Sequence, residues 1–242
     1  NLRHWVFGLE SSQPLHRVDG TDLWQRVLEV PHGSRFEYKL EVVRNGHGEW
    51  IPDPLNPNRA YDHFGFNSVC HGEGYAVPDW IEPDPEARKG SLEEWWLDPT
   101  PFGERRRVTI YRPARFRKSR RYRLLVVHDG ADYLRYAALQ AVLDNLIHRQ
   151  EVAPLVVALT HPGDRLREYP DDPRHVSFIA DRLLPELESR LPLFGTPSTR
   201  GLMGASFGAV AALATAWRRQ GLFGRLLLQS GSLAFTDIGW HR

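Results

Sequence analysis

The sequence predicts two folds in tandem: an all-β sandwich over residues 1–75 and a mainly parallel α/β sheet with helices on both faces over 105–242, joined by a proline-rich linker, 76–104. Three observations predict this. In "RFEYKLEVV", Phe36, Tyr38, Leu40 and Val42 alternate with Glu37, Lys39 and Glu41, the period of two of a half-buried strand. Residues 76–104 hold five prolines, each of which fixes φ and removes a backbone donor. From residue 105, apolar runs with little alternation are separated by amphipathic stretches, the pattern of parallel strands buried on both faces.

Taken in order, "HWVFGL", "LWQRVLEV" and "RFEYKLEVV" read as strands, and Asn45-Gly46 before "EWI" signals a hairpin because both residues tolerate positive φ. In the linker, Trp80, Trp95 and Trp96 point to a segment that packs down. "RRRVTIYRP" and "YRLLVVHDG" then read as strands, "ALQAVLDNLIHRQ" as a helix and "APLVVALT" as a strand. "HVSFIADRLLPELESRL" reads as a helix, "TRGLMGAS" as a strand, "FGAVAALATAWRRQ" as a helix closed by Gly221, and "GRLLLQSGS" as a strand.

Composition sets the class. Apolar residues at 41% and charged residues at 25% are those of a globular protein with a sizeable core, and a net charge of +1 gives no field for nucleic acid or an acidic membrane. No stretch approaches the ~20 apolar residues of a membrane span, and the start lacks a leader pattern. The single cysteine, Cys70, forms no internal disulfide, which favours the cytoplasm. Nothing in the sequence fixes the oligomeric state.

The chemistry centres on "GLMGASFGAV", where Gly204-Ala205-Ser206-Phe207-Gly208 lies between a strand and a helix. In that context Gly-x-Ser-x-Gly is a sharp turn that lifts the serine Oγ above the sheet, and the following helix aims its N-terminal amides and dipole at it. The alternative is a serine in an ordinary turn. "VVHDGADY" is the second constellation: Gly130 allows a tight approach that points the Ala131 amide toward the site, while His128 and Asp129 read as a strand-end pair bonding the loop.

"HDGADY", "LDNLI", "DRLREY", "LLPELESRL", "GASFGAVAAL" and "LQSGS", in this order, resemble the putative-esterase family of α/β-hydrolases that includes esterase D and bacterial enterochelin esterases. "DGTDLWQRVLEVPHGSRFEYKLEV" and "EWIPDPLNPN" resemble the early-set, immunoglobulin-like sandwich that precedes the catalytic domain in enterochelin esterases and some carbohydrate esterases. The resemblance implies Ser206 as nucleophile, the Phe207 and Ala131 amides as oxyanion hole, and Arg165 and Glu168 of "DRLREY" near the site, where the two read as a structural ion pair. It implies a serine esterase without a cofactor whose partner is a small-molecule ester, first a catecholate siderophore trilactone, second an acylated glycan. An iron–siderophore complex would itself be anionic, suiting arginine.

A triad also needs an acid and a histidine after the serine. Asp237 and His241 have the right types and order but follow too closely on the nucleophile helix, so the acid and base are expected beyond Arg242 and this segment is expected to be inactive alone. Metal chemistry has little support, since no His-Glu-x-x-His occurs; His161, Asp164, Asp171, Asp172 and His175 read as loop residues and caps. The basic run 104–123 reads as a solvated hairpin. Trp24 and Trp50 offer a rival function from another class, a sugar-stacking platform on an inactive scaffold, against the reading that Trp24 fills the sandwich core.

Overall fold

The computed structural model describes residues 1–6 and 8–233, and the chain divides into two compact units, Asn1–Asp79 and Trp80–Arg242. Phe7 of "HWVFGL", Asp237 and His241 therefore lie outside the described residues.

The first unit contains β1 (Leu2–His4), β2 (Ser12–Gln13), β3 (His16–Arg17), β4 (Trp24–Gln25), β5 (Arg35–Arg44), β6 (His47–Ile51), β7 (Arg59–Asp62) and β8 (Gly65–His71). One antiparallel sheet has the order β2-β1-β5-β8-β7, with β6 also paired to β5, and β3 and β4 form a separate ribbon. The Asn45-Gly46 turn forms as expected: φ is 51° and 80°, and Arg44 faces His47 across a two-residue loop. "LWQRVLEV" departs from expectation, since only Trp24 and Gln25 pair. An apolar run with so short a ladder has no sheet face to bury it: Trp24 is 62% and Trp50 46% exposed, so neither fills a core.

The second unit opens with β9 (Ser91–Leu97), β10 (Arg106–Arg112), β11 (Arg123–Val127), α1 (Gly130–Tyr136), α2 (Leu139–His148), β12 (Leu155–Thr160), α3 (Arg165–Glu168) and α4 (Pro173–Ser177). A π-helical stretch, Phe178–Leu183, runs into α5 (Leu184–Arg190), followed by β13 (Arg200–Ala205), α6 (Phe207–Arg218) and β14 (Arg225–Gln229). The sheet order is β14-β13-β11-β12-β10-β9. β14, β13, β11 and β12 are mutually parallel, while β10 is antiparallel to both β12 and β9, which makes the sheet mixed. Adjacent residues serve opposite faces. Val126 and Leu202 pack with Phe178, Leu183 and Leu187, whereas Val127 and Met203 pack with Tyr133, Leu139 and Leu143. Each such fully buried aliphatic side chain contributes about 1.5–3 kcal/mol.

Two expectations are corrected here. The linker assigned to 76–104 contains β9, an edge strand whose seven residues all pair with β10 and whose Trp95 is buried. Residues 80–90 are pinned to α2, with Asn145 Nδ2 donating to the Trp80 and Glu82 carbonyls at 2.9 and 2.7 Å and Asp144 accepting from the Gly90 amide at 2.8 Å. Prolines around "SLEEWWL" hid a strand that needs only one partner. The basic run 104–123 is not a hairpin, because β10 pairs with β9 and β12 and not with β11, and its Arg106 is buried.

Candidate active site

Ser206 stands between the last residue of β13 and the first of α6, with φ 53° and ψ −121°. A non-glycine residue in this region costs on the order of 1–3 kcal/mol, so surrounding bonds must hold it. They do. The Ser206 amide donates to the Gln229 carbonyl at 3.0 Å, and its carbonyl accepts from Ala209 at 3.1 Å and from Ser232 at 3.3 Å. The half-buried Ser206 hydroxyl lies 2.9 Å from the Ser232 hydroxyl.

Gly204 makes the turn sterically possible. A Cβ there would sit 2.2 Å from the Gly208 carbonyl oxygen, in the first turn of α6. At Gly130 a Cβ would fall 2.4 Å from the Leu159 Cβ, so only glycine lets α1 start directly against β12. Ala131 and Phe207 thus occupy the N-termini of α1 and α6, where aligned peptide dipoles present their positive ends.

The loop after β11 and the turn after β13 are tied together. Asp129 caps α1 in the left-handed region (φ 55°), its amide donating to the Tyr169 hydroxyl at 3.1 Å. Its carboxylate takes a forked pair from Arg165, Nε at 2.9 Å and Nη2 at 2.9 Å, and the same Nη2 reaches the Ala205 carbonyl at 3.4 Å. The expected Arg165–Glu168 pair does not form. Glu168 is buried and bonds Arg106 Nη2 at 2.6 Å and the Gly163 and Asp164 amides at 3.1 and 3.0 Å. Residues three apart on a single turn of helix share a face, but here each finds a better-oriented partner on another element.

His128 does not bond its own loop. It is fully buried, with Nδ1 3.1 Å from the Met203 carbonyl and Nε2 3.0 Å from His175 Nε2. A carbonyl only accepts, so the His128 proton sits on Nδ1 and His175 donates from Nε2, leaving the buried His175 Nδ1 as a bare acceptor. Burial pushes the His128 imidazole down to about 4 and His175 well below its ordinary value. Both are neutral structural groups and neither is bonded to Ser206. Of the remaining residues, His161 bonds Thr109 at 2.9 Å, Asp164 and Asp172 cap α3 and α4, and Asp171 pairs with Arg218 at 2.7 Å. Among the described residues no three His, Cys, Asp or Glu side chains converge as a metal would require.

Sequence reasoning passed over Ser232, Tyr169 and the His175 bond. Ser232 and Tyr169 stand in "LQSGS" and "DRLREY", which were noticed as motifs without a role for these side chains.

Comparisons with known proteins place the chain among esterases by sequence and fold. The model of the family described as Putative esterase matches residues 100–242. The iron(III) enterobactin esterase of Escherichia coli O6:H1 is 25% identical over 272 residues, an alignment covering 96% of this chain and 64% of that protein. The crystal structure of the Shigella flexneri enterobactin esterase in the presence of enterobactin superposes with a TM-score of 0.71 at 25% identity, covering 93% of this chain and 63% of that one. A ferulic acid esterase shares the fold, with a TM-score of 0.56 at 19% identity over 62% of this chain. The chain thus spans less than two thirds of the length of these enterobactin-esterase relatives. No helix among the described residues is long and apolar enough to cross a membrane. With more than half of the chain under the family's model, and the serine turn and its supporting glycines inside that stretch, the chain belongs to the putative-esterase family.

Proposed function

We propose that Ser206 is the nucleophile of a carboxylic-ester hydrolase acting on an enterobactin-type trilactone. The observation that carries this is the strained Ser206 backbone, φ 53° and ψ −121°, at a strand-to-helix turn. Strain of this kind is kept where a side chain must be presented against the backbone's preference. The enterobactin-esterase relatives support the substrate class.

In the reaction, Ser206 Oγ attacks the ester carbonyl and loses its proton to a base, and the oxyanion develops toward the Phe207 and Ala131 amides. Collapse expels the alcohol, which takes up the proton. Water then attacks the acyl-serine and releases the acid. Arg165 holds the Asp129 loop and the Ala205 carbonyl in one arrangement, which keeps the two helix N-termini in register. None of His128, His161 and His175 is bonded to the Ser206 hydroxyl, whose side-chain partner is Ser232. The first unit is read as an early-set, immunoglobulin-like sandwich and the protein as cytoplasmic, readings supported by its antiparallel pairing and the single Cys70.

A fluorophosphonate probe tests the reading: one label at Ser206, absent in Ser206→Ala, is expected. Labelling at any other residue overturns it. One observation favours a second reading for the first unit. Trp5, Trp24 and Trp50 are all exposed, and Trp5 packs edge-to-face with Trp50, ring centroids 6.1 Å apart, which leaves indole surface open to a sugar ring. Co-sedimentation with insoluble glucan, lost in Trp50→Ala, checks it.

A further inference from the structure

The strand registers place one row of residues along the edge of the sheet that carries Ser206. Trp96 faces Arg107; Val108 faces Thr160, which sets Arg107 level with His161. Val127 is level with Leu159 and with Met203, the last rungs of those ladders, and beyond them Arg165 joins the Asp129 carboxylate to the Ala205 carbonyl. In strand order the edge carries Trp96, Arg107, His161, Asp129 and Ala205 and ends beside Ser206. β9 is antiparallel to β10, and β10 to β12, so β9 runs the same way as β12 and its last residues reach the same edge as the nucleophile. At about 4.8 Å per strand, Trp96 lies four spacings, or ~19 Å, from Ala205.

The outer end of this row is not built like a core. Trp95 supplies the packing of β9 and is buried, while its neighbour Trp96 is 51% exposed. The Arg105 guanidinium stacks over the Trp96 ring, 4.5 Å from its centroid, and among the described residues no acid pairs with Arg105. Arg107 stands alongside, bonded to the exposed Glu94 at 2.9 Å. Charged residues on an edge strand protect it from pairing, which accounts for Glu94 on β9 but not for an exposed indole. An indole face beside an arginine without an acid partner suits a ligand that is both flat and negative.

We propose that Trp96, Arg105 and Arg107 form a second binding position that holds an anionic aromatic arm of the substrate while the scissile carbonyl lies at Ser206. This rests on the Ser206 reading. It deepens that reading by favouring an ester that carries a second, anionic ring over a single-ring ester.

The test uses the intact chain and 2,3-dihydroxybenzoate as an aryl anion, followed by ligand-observed NMR, with benzyl alcohol as the neutral ring. The anion is expected to bind more tightly than the alcohol. Trp96→Ala and Arg105→Gln should each weaken it roughly tenfold, Trp96→Phe should keep most of the affinity, and Ser206→Ala should leave it unchanged. Wild-type protein that fails to bind the anion, or Trp96→Ala and Arg105→Gln variants that bind it as wild type does, overturns the proposal. Loss of affinity in Ser206→Ala also overturns it, since the anion would then sit at the serine. Fluorophosphonate labelling of the same samples reads the nucleophile separately: Trp96-dependent binding with labelling at another residue would remove the Ser206 assignment and leave the arginine–tryptophan position standing.

Discussion

Replacing Gly204 with alanine tests the packing that shapes the serine turn. The added Cβ would lie 2.2 Å from the Gly208 oxygen and 2.3 Å from its carbonyl carbon, where real contacts essentially never fall below 3.0 Å. The gap must therefore open by at least 3.0 − 2.2 = 0.8 Å. Both obstructing atoms are backbone, so no side chain can swing aside; the first turn of α6 has to move away from β13. Overpacking of this kind costs about 1–3 kcal/mol, and the absence of a flexible partner places Gly204→Ala near 3. For a unit of this size that lowers the thermal midpoint by roughly 6–12 °C. Because Ser206 opens α6, a shift approaching 1 Å should also slow fluorophosphonate labelling by about 10²-fold. Gly201→Ala is the control: its Cβ would meet the Leu125 Cδ1 at 3.1 Å, a methyl that can turn away, and otherwise only Arg225 atoms at an ordinary 3.7 Å. Scanning calorimetry and timed labelling of both variants decide the matter. A Gly204→Ala protein that melts within about 1 °C of wild type and labels at the wild-type rate would refute the steric account.

Other outcomes follow from the buried polar groups. Glu168→Gln leaves the buried Arg106 without its main counter-charge, the remaining Glu104 at 3.1 Å being 64% exposed, and should cost about 3 kcal/mol in urea unfolding, while Glu104→Gln should change little. Acid should weaken the second unit through His128. Its folded value of about 4 lies below the unfolded 6.5, so between these the unfolded chain binds more protons and stability falls as pH drops from 6.5 toward 4. The loss approaches roughly 3 kcal/mol at pH 4, and urea midpoints at pH 7.5, 5.5 and 4.5 should show it. A flat profile across that range would contradict the neutral His128–His175 pair.

The parts of the fold legible in the sequence were those where one local pattern dominates. Uninterrupted apolar strands such as Leu155–Thr160 and the Asn45-Gly46 turn needed no tertiary information. β9 was hidden because an edge strand flanked by prolines buries only alternate residues near its end, Trp95 and Leu97. The candidate nucleophile and its glycines were visible because backbone geometry demands them locally. The partners of Arg165, Glu168 and His128 were not. Those depend on which side chains the topology delivers from 36, 62 and 47 positions away, and spacing along the chain carries no trace of that.

The positive φ at residue 206 has a consequence for any effort to harden this protein. Glycine is at home in that backbone conformation and serine is not, so Ser206→Gly should relax the turn and raise the melting temperature even as it removes the hydroxyl. A library screened for heat resistance alone would drift toward that substitution. Only a screen that also demands reaction at the Ser206 hydroxyl would keep the serine.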